Sequence, residues 1–206
     1  MSATISAEIV KRLRDQTNAG MMDCKKALEE SQGDFDGAVD ILRKKGAITA
    51  QKKSSREAKD GVIASYIHLG GKVGVLVEIN CETDFVAKND TFKEFVKDIT
   101  LQIAAANPLV VTRDQVPTAI VEKEREITLA QLANDPKNAK KPKDILEKIV
   151  QGKLDKYYTT ACLMEQAFVK NPEVTIQDLL TKKIQELGEN IVIRRFVRFQ
   201  VGEALT

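Results

Sequence analysis

Residues 73–89 read VGVLVEINCETDFVAKN and join a predicted strand to the segment that follows it. Apolar residues stand at every second position from 73 to 79, which indicates a strand with one face on a core. Beyond this strand, Thr83 is a residue type that caps helices, and Asp84 and Phe85 follow it. A phenylalanine at a strand exit can be buried as a plug or exposed as a contact, and the pattern alone leaves both alternatives open.

The segments around this strand predict the rest of a small sheet. Residues 61–69 precede it, and the pair Gly70-Gly71 between the two runs indicates a β-hairpin. Residues 91–106 carry a wide apolar stripe at helical spacing and are expected to cover the sheet. Residues 190–201 predict a third strand. Its apolar face is expected to consist of Ile191, Ile193, Val197, Phe199 and Val201.

The N-terminal region predicts three short helices, each of which ends at a glycine. They are expected over residues 6–19, 23–32 and 34–46. So small a bundle has a thin core, and one of its faces is expected to dock on a partner. Residues 162–171 follow no regular period and are expected to be irregular.

These elements predict an α+β fold with a helical module in front of a core domain. The module is expected at residues 1–50, and the polar stretch at residues 51–60 is expected to be a linker. The core at residues 61–206 is expected to hold a three-stranded antiparallel sheet packed with helices. A helical hairpin is expected within it at about residues 117–160.

Composition restricts the classes of function. The 206-residue chain has 32 basic and 30 acidic residues, and its net charge of +2 gives little attraction to nucleic acid or anionic lipid. No run approaches the roughly 20 consecutive apolar residues of a membrane-spanning helix. The three cysteines form no C-x-x-C pair, which suits reduced thiols in the cytosol. We therefore expect a cytoplasmic chain that needs no metal or cofactor and does not bind membranes or nucleic acid directly.

Few residues offer catalytic chemistry, and several offer contacts. His68 is the only histidine, so no Ser-His or Cys-His pair is available for hydrolysis. At the hairpin tip it is either a plain turn residue or a contact for a partner. Met21 and Met22, between the first two predicted helices, either fill core gaps or form an adaptable contact. Because adjacent side chains diverge in a turn, at least one of these methionines is expected to be exposed.

Two long segments resemble a known family. Residues 13–28 read LRDQTNAGMMDCKKAL and residues 80–89 read NCETDFVAKN. Both resemble the signature motifs of bacterial translation elongation factor Ts, and residues 193–199, IRRFVRF, extend the similarity toward the end of the chain. Asn18 departs from the family, which often has glycine at this position. The similarity is greatest to the short, dimeric form of the family.

The resemblance implies a guanine-nucleotide exchange factor whose partner is the GTPase elongation factor Tu, and not an enzyme. It implies a ubiquitin-associated-like fold for the N-terminal helices. It also implies that Thr83, Asp84, Phe85 and Val86 enter the partner near its nucleotide, displace Mg²⁺ and loosen GDP. The exposed alternative for Phe85 is favoured on this ground.

The resemblance further implies that Leu13, Arg14, Met21 and Met22 contact the GTPase domain of the partner. Short members of the family act as homodimers, and here the dimer is expected to form through the core sheet. His68 is then a candidate contact supplied by the other subunit.

The last strand bears on this dimer in two ways. Some short members link their subunits by a cysteine in this strand, but residues 196–198 read FVR, so a non-covalent dimer is expected. The face of the strand that carries Val192 and Phe196 is also partly apolar, which predicts that a loop or a second subunit covers it.

Two other functions stay open at this point. The main alternative is a ribosome- or nucleic-acid-binding protein. It would use Lys52, Lys53, Arg56, the basic loop at residues 137–148, Arg194 and Arg198. Such binding should weaken steeply with salt, whereas a contact anchored on Phe85 should not. The weaker alternative is a ubiquitin-type peptide binder formed by residues 1–50 alone.

Overall fold

The structure of the chain is a computed structural model that describes residues 5–17, 19–134 and 141–204. Its fold is α+β, as predicted. The α-helices are α1 (Ala7–Thr17), α2 (Met21–Glu30), α3 (Phe35–Lys53), α4 (Asp84–Ala87), α5 (Asp90–Ala106), α6 (Thr118–Ala133), α7 (Lys143–Ala161) and α8 (Ile176–Leu187). The strands are β1 (Asp60–Ile67), β2 (Val73–Cys81), β3 (Ala167–Phe168), β4 (Asn171–Thr175) and β5 (Val192–Gln200). Asn18 and residues 135–140, which include the first part of the basic loop, lie outside the described residues.

The described chain forms two compact units. The first unit consists of the described parts of Met1–Ile63, Glu78–Lys97 and Asp178–Ile193. The second consists of the described parts of Ala64–Val77, Asp98–Gln177 and Arg194–Thr206. Compactness does not test whether the N-terminal module and the core are independent domains, so the predicted division at residues 51–60 stays a prediction.

The three predicted N-terminal helices are present as α1, α2 and α3, and they share one apolar core. The predicted end of the third helix at Gly46 is wrong, because α3 continues to Lys53. The structure gives this glycine another role: a Cβ at Gly46 would lie 2.6 Å from Oε1 of Gln185. Gly46 therefore leaves room for the carboxamide of Gln185 and does not end the helix. The first three residues of the predicted linker are consequently helical.

The main sheet has the strand order β1-β2-β5 and is antiparallel. The predicted hairpin is confirmed, and the His68 amide donates to the Val73 carbonyl at 2.8 Å. Gly70 and Gly71 both have positive φ, at 86° and 68°, which explains why two glycines form this turn. Three of the four residues predicted for the inner face of β2 are buried, and the fourth, Val73 at the start of the strand, is only partly buried. The buried residues are Val75, Val77 and Ile79.

The predicted apolar face of the last strand is only half correct. Ile193 is buried, but Val197 and Phe199 are exposed, while Phe196 and Arg198 are partly buried. The alternation of buried positions therefore shifts by one residue within β5. A polar anchor accounts for the shift, because the Arg198 Nε donates to the Ala104 carbonyl at 3.3 Å and its apolar stem is buried with it.

Two further regions complete the second unit. Helices α6 and α7 pack together, and Arg125 on α6 pairs with Glu147 on α7 at 2.7 Å. The region predicted to be irregular instead contains β3 and the first residue of β4, and these two strands pair as a small antiparallel hairpin. A buried glutamine anchors it: Gln102 Nε2 donates to the Ala167 carbonyl at 3.1 Å, and Gln102 Oε1 accepts from the Val169 amide at 2.8 Å. In the described ranges, no helix has both the length and the hydropathy needed to cross a membrane.

Candidate functional site

The segment after β2 is a single helical turn, α4, followed directly by α5. Thr83 has extended backbone angles, φ −132° and ψ 154°, and its hydroxyl oxygen accepts from the Val86 amide at 3.4 Å. Asn89 Oδ1 accepts from the Thr91 amide at 2.8 Å at the start of α5. The cap predicted at Thr83 is therefore confirmed, and Asn89 caps the start of α5 in the same way.

Phe85 lies on the solvent side of this turn. Its side chain is 84 % exposed, whereas Val86 and Ala87 on the same turn are buried. The exposed alternative of the sequence prediction is therefore correct. Since an exposed ring contributes little to the core, Phe85 stands out as a side chain available for contact with another molecule.

Asp84 supplies a charge next to the exposed ring. Its Oδ2 lies 2.6 Å from the Lys88 ammonium, one turn further along. The hydrogen bond from Lys88 lowers the pKa of Asp84, so this carboxylate is ionised at neutral pH. Both side chains are exposed, and the pair therefore adds little stability and leaves Asp84 accessible.

A carboxylate distant in sequence holds the start of the turn. Glu189 Oε2 accepts from the amides of Glu82 and Thr83 at 3.0 Å each, and its Oε1 accepts from the Thr83 hydroxyl at 2.6 Å. In return, Glu82 Oε1 accepts from the Asn190 amide at 2.6 Å. Sequence reasoning missed these two glutamates, because no local pattern joins residues that are 107 positions apart.

The end of the helical bundle carries a second group of predicted contacts. Met21 and Met22 are the first two residues of α2, and they are 45 % and 63 % exposed. The prediction that at least one of these methionines is exposed is confirmed, and both are accessible. Arg14 on α1 is exposed as well. The prediction that Leu13 contacts a partner is wrong. Leu13 is fully buried in the core shared by α1, α2 and α3 and has no exposed surface with which to contact a partner.

Comparison with known proteins adds a family to this geometry. The family described as Elongation factor TS matches residues 5–203. The chain belongs to the elongation factor Ts family. Elongation factor Ts from Carboxydothermus hydrogenoformans is 57 % identical over 201 residues, which cover 98 % of this chain and 91 % of the relative. Elongation factor Ts from Thermodesulfovibrio yellowstonii is 55 % identical over 199 residues, 97 % of each chain.

His68, the remaining contact suggested by resemblance to elongation factor Ts, belongs to the second unit. It is exposed at the β1–β2 turn, and its Nδ1 lies 2.9 Å from the Tyr66 hydroxyl. This hydrogen bond and the tilted ring contact with Tyr66 fix the orientation of the imidazole.

The arginines of the nucleic-acid alternative are engaged within the chain. Arg56 lies 3.5 Å from Glu82, and Arg198 lies 3.0 Å from Glu203. Lys53 donates to the Gly188 carbonyl. Each of these three basic side chains therefore has a carboxylate or carbonyl partner within the chain.

Cysteine, histidine and carboxylate side chains are the groups that could bind a metal ion or supply thiol chemistry. Within the described ranges, no three or more His, Cys, Asp and Glu residues come together in a way that suits a metal ion. Cys24, Cys81 and Cys162 are free and buried. Burial raises the pKa of the Cys81 thiol to about 11, so it stays protonated and unreactive at neutral pH.

Proposed function

We propose that this chain is a guanine-nucleotide exchange factor that binds elongation factor Tu·GDP and promotes GDP release during translation elongation. It does so by displacing Mg²⁺ and loosening the phosphate site of the partner. The observation that carries the proposal is the 84 % exposed Phe85 on a capped turn, in a chain of the elongation factor Ts family. No covalent bond is made or broken in this activity, so the chain is not an enzyme in the usual sense.

Exchange follows from differential binding. A factor that binds the nucleotide-free partner more tightly than the GDP-bound partner must weaken GDP binding by the same ratio. Phe85 provides this difference in affinity when the cavity of the partner that receives its ring opens only after the nucleotide loops of the partner have shifted. Burying one phenylalanine is worth about 1.5–3 kcal/mol, which is similar to the coupling free energies of allosteric effectors.

Asp84 acts through charge. Mg²⁺ screens the phosphates of GDP, so any group that shifts the ligands of the ion weakens phosphate binding without touching the base. An ionised carboxylate brought toward the site competes for the cation and repels the phosphates. Thr83 and Val86 fix the direction of this charge, one as the helix cap and the other through its burial.

The helical bundle supplies the holding contact. Arg14, Met21 and Met22 are exposed and can lie against the GTPase domain, where methionine adapts easily to the shape of a partner. Leu13 supports this surface from within the bundle core. We further infer that residues 1–50 form the ubiquitin-associated-like module expected from the resemblance.

A homodimer through the core sheet is part of the proposal. Exposed large apolar side chains occur on all three strands, and those in the second unit include Ile67, Leu76 and Phe199. Apolar groups of this size on an unpaired sheet surface favour association. The dimer is non-covalent, and His68 of one subunit serves the partner GTPase bound at Phe85 of the other.

The deciding experiment is release of a fluorescent GDP analogue from purified elongation factor Tu in the presence of excess unlabelled GDP. The chain should accelerate release in proportion to its concentration at subsaturating amounts. An unchanged rate would refute the proposal. A cytoplasmic location is expected on this proposal, because translation elongation takes place there.

A further inference from the structure

We propose that Glu189 is a positioning residue that holds the turn carrying Asp84 and Phe85 in its binding orientation. The effect of Glu189 on exchange rests on the proposed function. The effect of Glu189 on the order of the turn does not, and it can be measured on the chain alone.

The turn needs an external holder. Helix α4 has four residues, and a single helical turn is unstable by itself because its nucleation fixes several residues for few hydrogen bonds. The amides at a helix start have no partners inside the helix. The Thr83 cap satisfies the Val86 amide at a long 3.4 Å, which is weak support for a turn that presents an exposed ring.

Glu189 supplies this support with one carboxylate. It accepts from two successive backbone amides, those of Glu82 and Thr83, and from the Thr83 hydroxyl. Hydrogen bonds to an ionised acceptor are stronger than those between neutral groups. The hydroxyl has only one proton, and its donation to Glu189 leaves the oxygen lone pairs to accept from Val86. Glu189 therefore orients the cap as well as the backbone in front of it.

The position of Glu189 is itself fixed. Gly188 ends α8 with a left-handed φ of 76°. The next residue, Asn190, is buried, and it donates through its amide to Glu82 at 2.6 Å and through its side chain to the Arg56 carbonyl at 2.7 Å. Glu189 thus accepts from the backbone of Glu82 and Thr83, and Glu82 accepts from the backbone of Asn190, so hydrogen bonds run in both directions between the exit of β2 and the residues after α8.

Loss of Glu189 should loosen one end of the turn and leave the other in place. The amides of Glu82 and Thr83 would lose their acceptor, whereas Val86 and Ala87 would stay buried on the inner side of α4. Phe85 would then sample more orientations, and binding would have to restrict them again. The chain should fold normally but present its contact less well.

The first test measures amide hydrogen exchange on the isolated chain by NMR. In Glu189→Ala, the amides of Glu82 and Thr83 should exchange about tenfold faster, while that of Val77 in β2 stays protected. Glu186→Ala is the matched control, since this α8 glutamate pairs with Lys183 at 2.9 Å and should leave the turn unchanged. Unchanged protection at Glu82 and Thr83 in Glu189→Ala would overturn the proposal.

The second test is a double-mutant cycle on GDP release from elongation factor Tu. Glu189→Ala should reduce the acceleration about tenfold in the wild-type background and have a smaller effect in Phe85→Ala, where only Asp84 remains to be positioned. Equal losses in both backgrounds would show that Glu189 does not act through Phe85. Glu189→Gln keeps one acceptor oxygen and should lose less than Glu189→Ala. It also serves as the variant to use should the alanine chain fail to fold.

The two tests separate the two proposals. If Phe85→Ala itself leaves the acceleration unchanged, the proposed role of Phe85 in exchange is wrong. The amide exchange of Glu82 and Thr83 then decides alone whether Glu189 holds the turn.

Discussion

Replacing Phe85 by alanine distinguishes a contact residue from a core residue. Because the side chain is 84 % exposed, only about one sixth of its surface contributes to the fold. Full burial of a phenylalanine stabilises by about 1.5–3 kcal/mol, so the substitution should lower the free energy of unfolding by less than about 0.5 kcal/mol. The backbone is compatible with alanine, which is favourable in a helix.

In the proposed complex the same ring is buried in the partner after the nucleotide site has opened. Its removal should cost about 1.5–3 kcal/mol of differential binding, which corresponds to an acceleration of GDP release that is about 10- to 150-fold smaller. Stopped-flow release of fluorescent GDP from elongation factor Tu measures this effect. Ile48→Ala is a suitable control, because Ile48 is a 53 % exposed apolar residue on α3 and its loss should leave the acceleration unchanged.

Urea denaturation of the same variants completes the comparison. If Phe85→Ala lowers the free energy of unfolding by as much as it raises the free energy of activation for GDP release in the presence of the chain, Phe85 is a residue of the fold and its role as a contact is refuted. Full acceleration by a normally folded Phe85→Ala chain would refute it equally.

Four further predictions follow from the described contacts. Removal of Mg²⁺ by EDTA should speed GDP release from elongation factor Tu by itself. It should also reduce the additional acceleration by the chain, because the loss of Mg²⁺ that the chain is proposed to cause has already occurred. If the ratio of the release rates with and without the chain is the same in EDTA as in Mg²⁺, displacement of Mg²⁺ by the chain is contradicted. Sedimentation equilibrium should show a dimer that Phe199→Asp weakens, since that substitution places a charge on the exposed sheet surface; a wild-type monomer would exclude the dimer. Leu13→Ala should destabilise the bundle by about 2–5 kcal/mol in thermal unfolding, whereas Arg14→Ala should weaken partner binding without this loss. Burial raises the pKa of Cys81 from 9.0 to about 11, so the stability it contributes should be complete below pH 9 and decline as pH rises toward 11; Cys81→Ala should flatten this part of the pH–stability profile.

Features with a local cause were predictable from the sequence. The buried face of β2 follows from alternation, the hairpin from Gly70-Gly71, and the start of α4 from the capping hydroxyl of Thr83. Each of these depends on residues within a few positions of one another. The position of the candidate site at the exit of β2 was therefore accessible to sequence reasoning.

Features that depend on residues far apart in the chain were not predictable from the sequence. Gly46 has the local signature of a helix end, but its actual neighbour is Gln185, which is far along the chain. The alternation in β5 shifts where Arg198 binds the Ala104 carbonyl, and the donors at the start of α4 are held by Glu189. In each case a polar or steric contact between distant segments overrides the local pattern.

Leu13 and Arg14 show why a motif match cannot assign contacts by itself. Both lie in the segment that resembles the family, yet one is fully buried and the other is exposed on the same helix. On the proposed function, substitution of either residue disturbs partner binding, for Leu13 by altering the shape of the surface and for Arg14 by removing a contact. Similarity in sequence treats the two causes alike, and burial separates them. Burial separates two residues of α4 in the same way, because the buried Val86 holds the turn in place and the exposed Phe85 forms its surface.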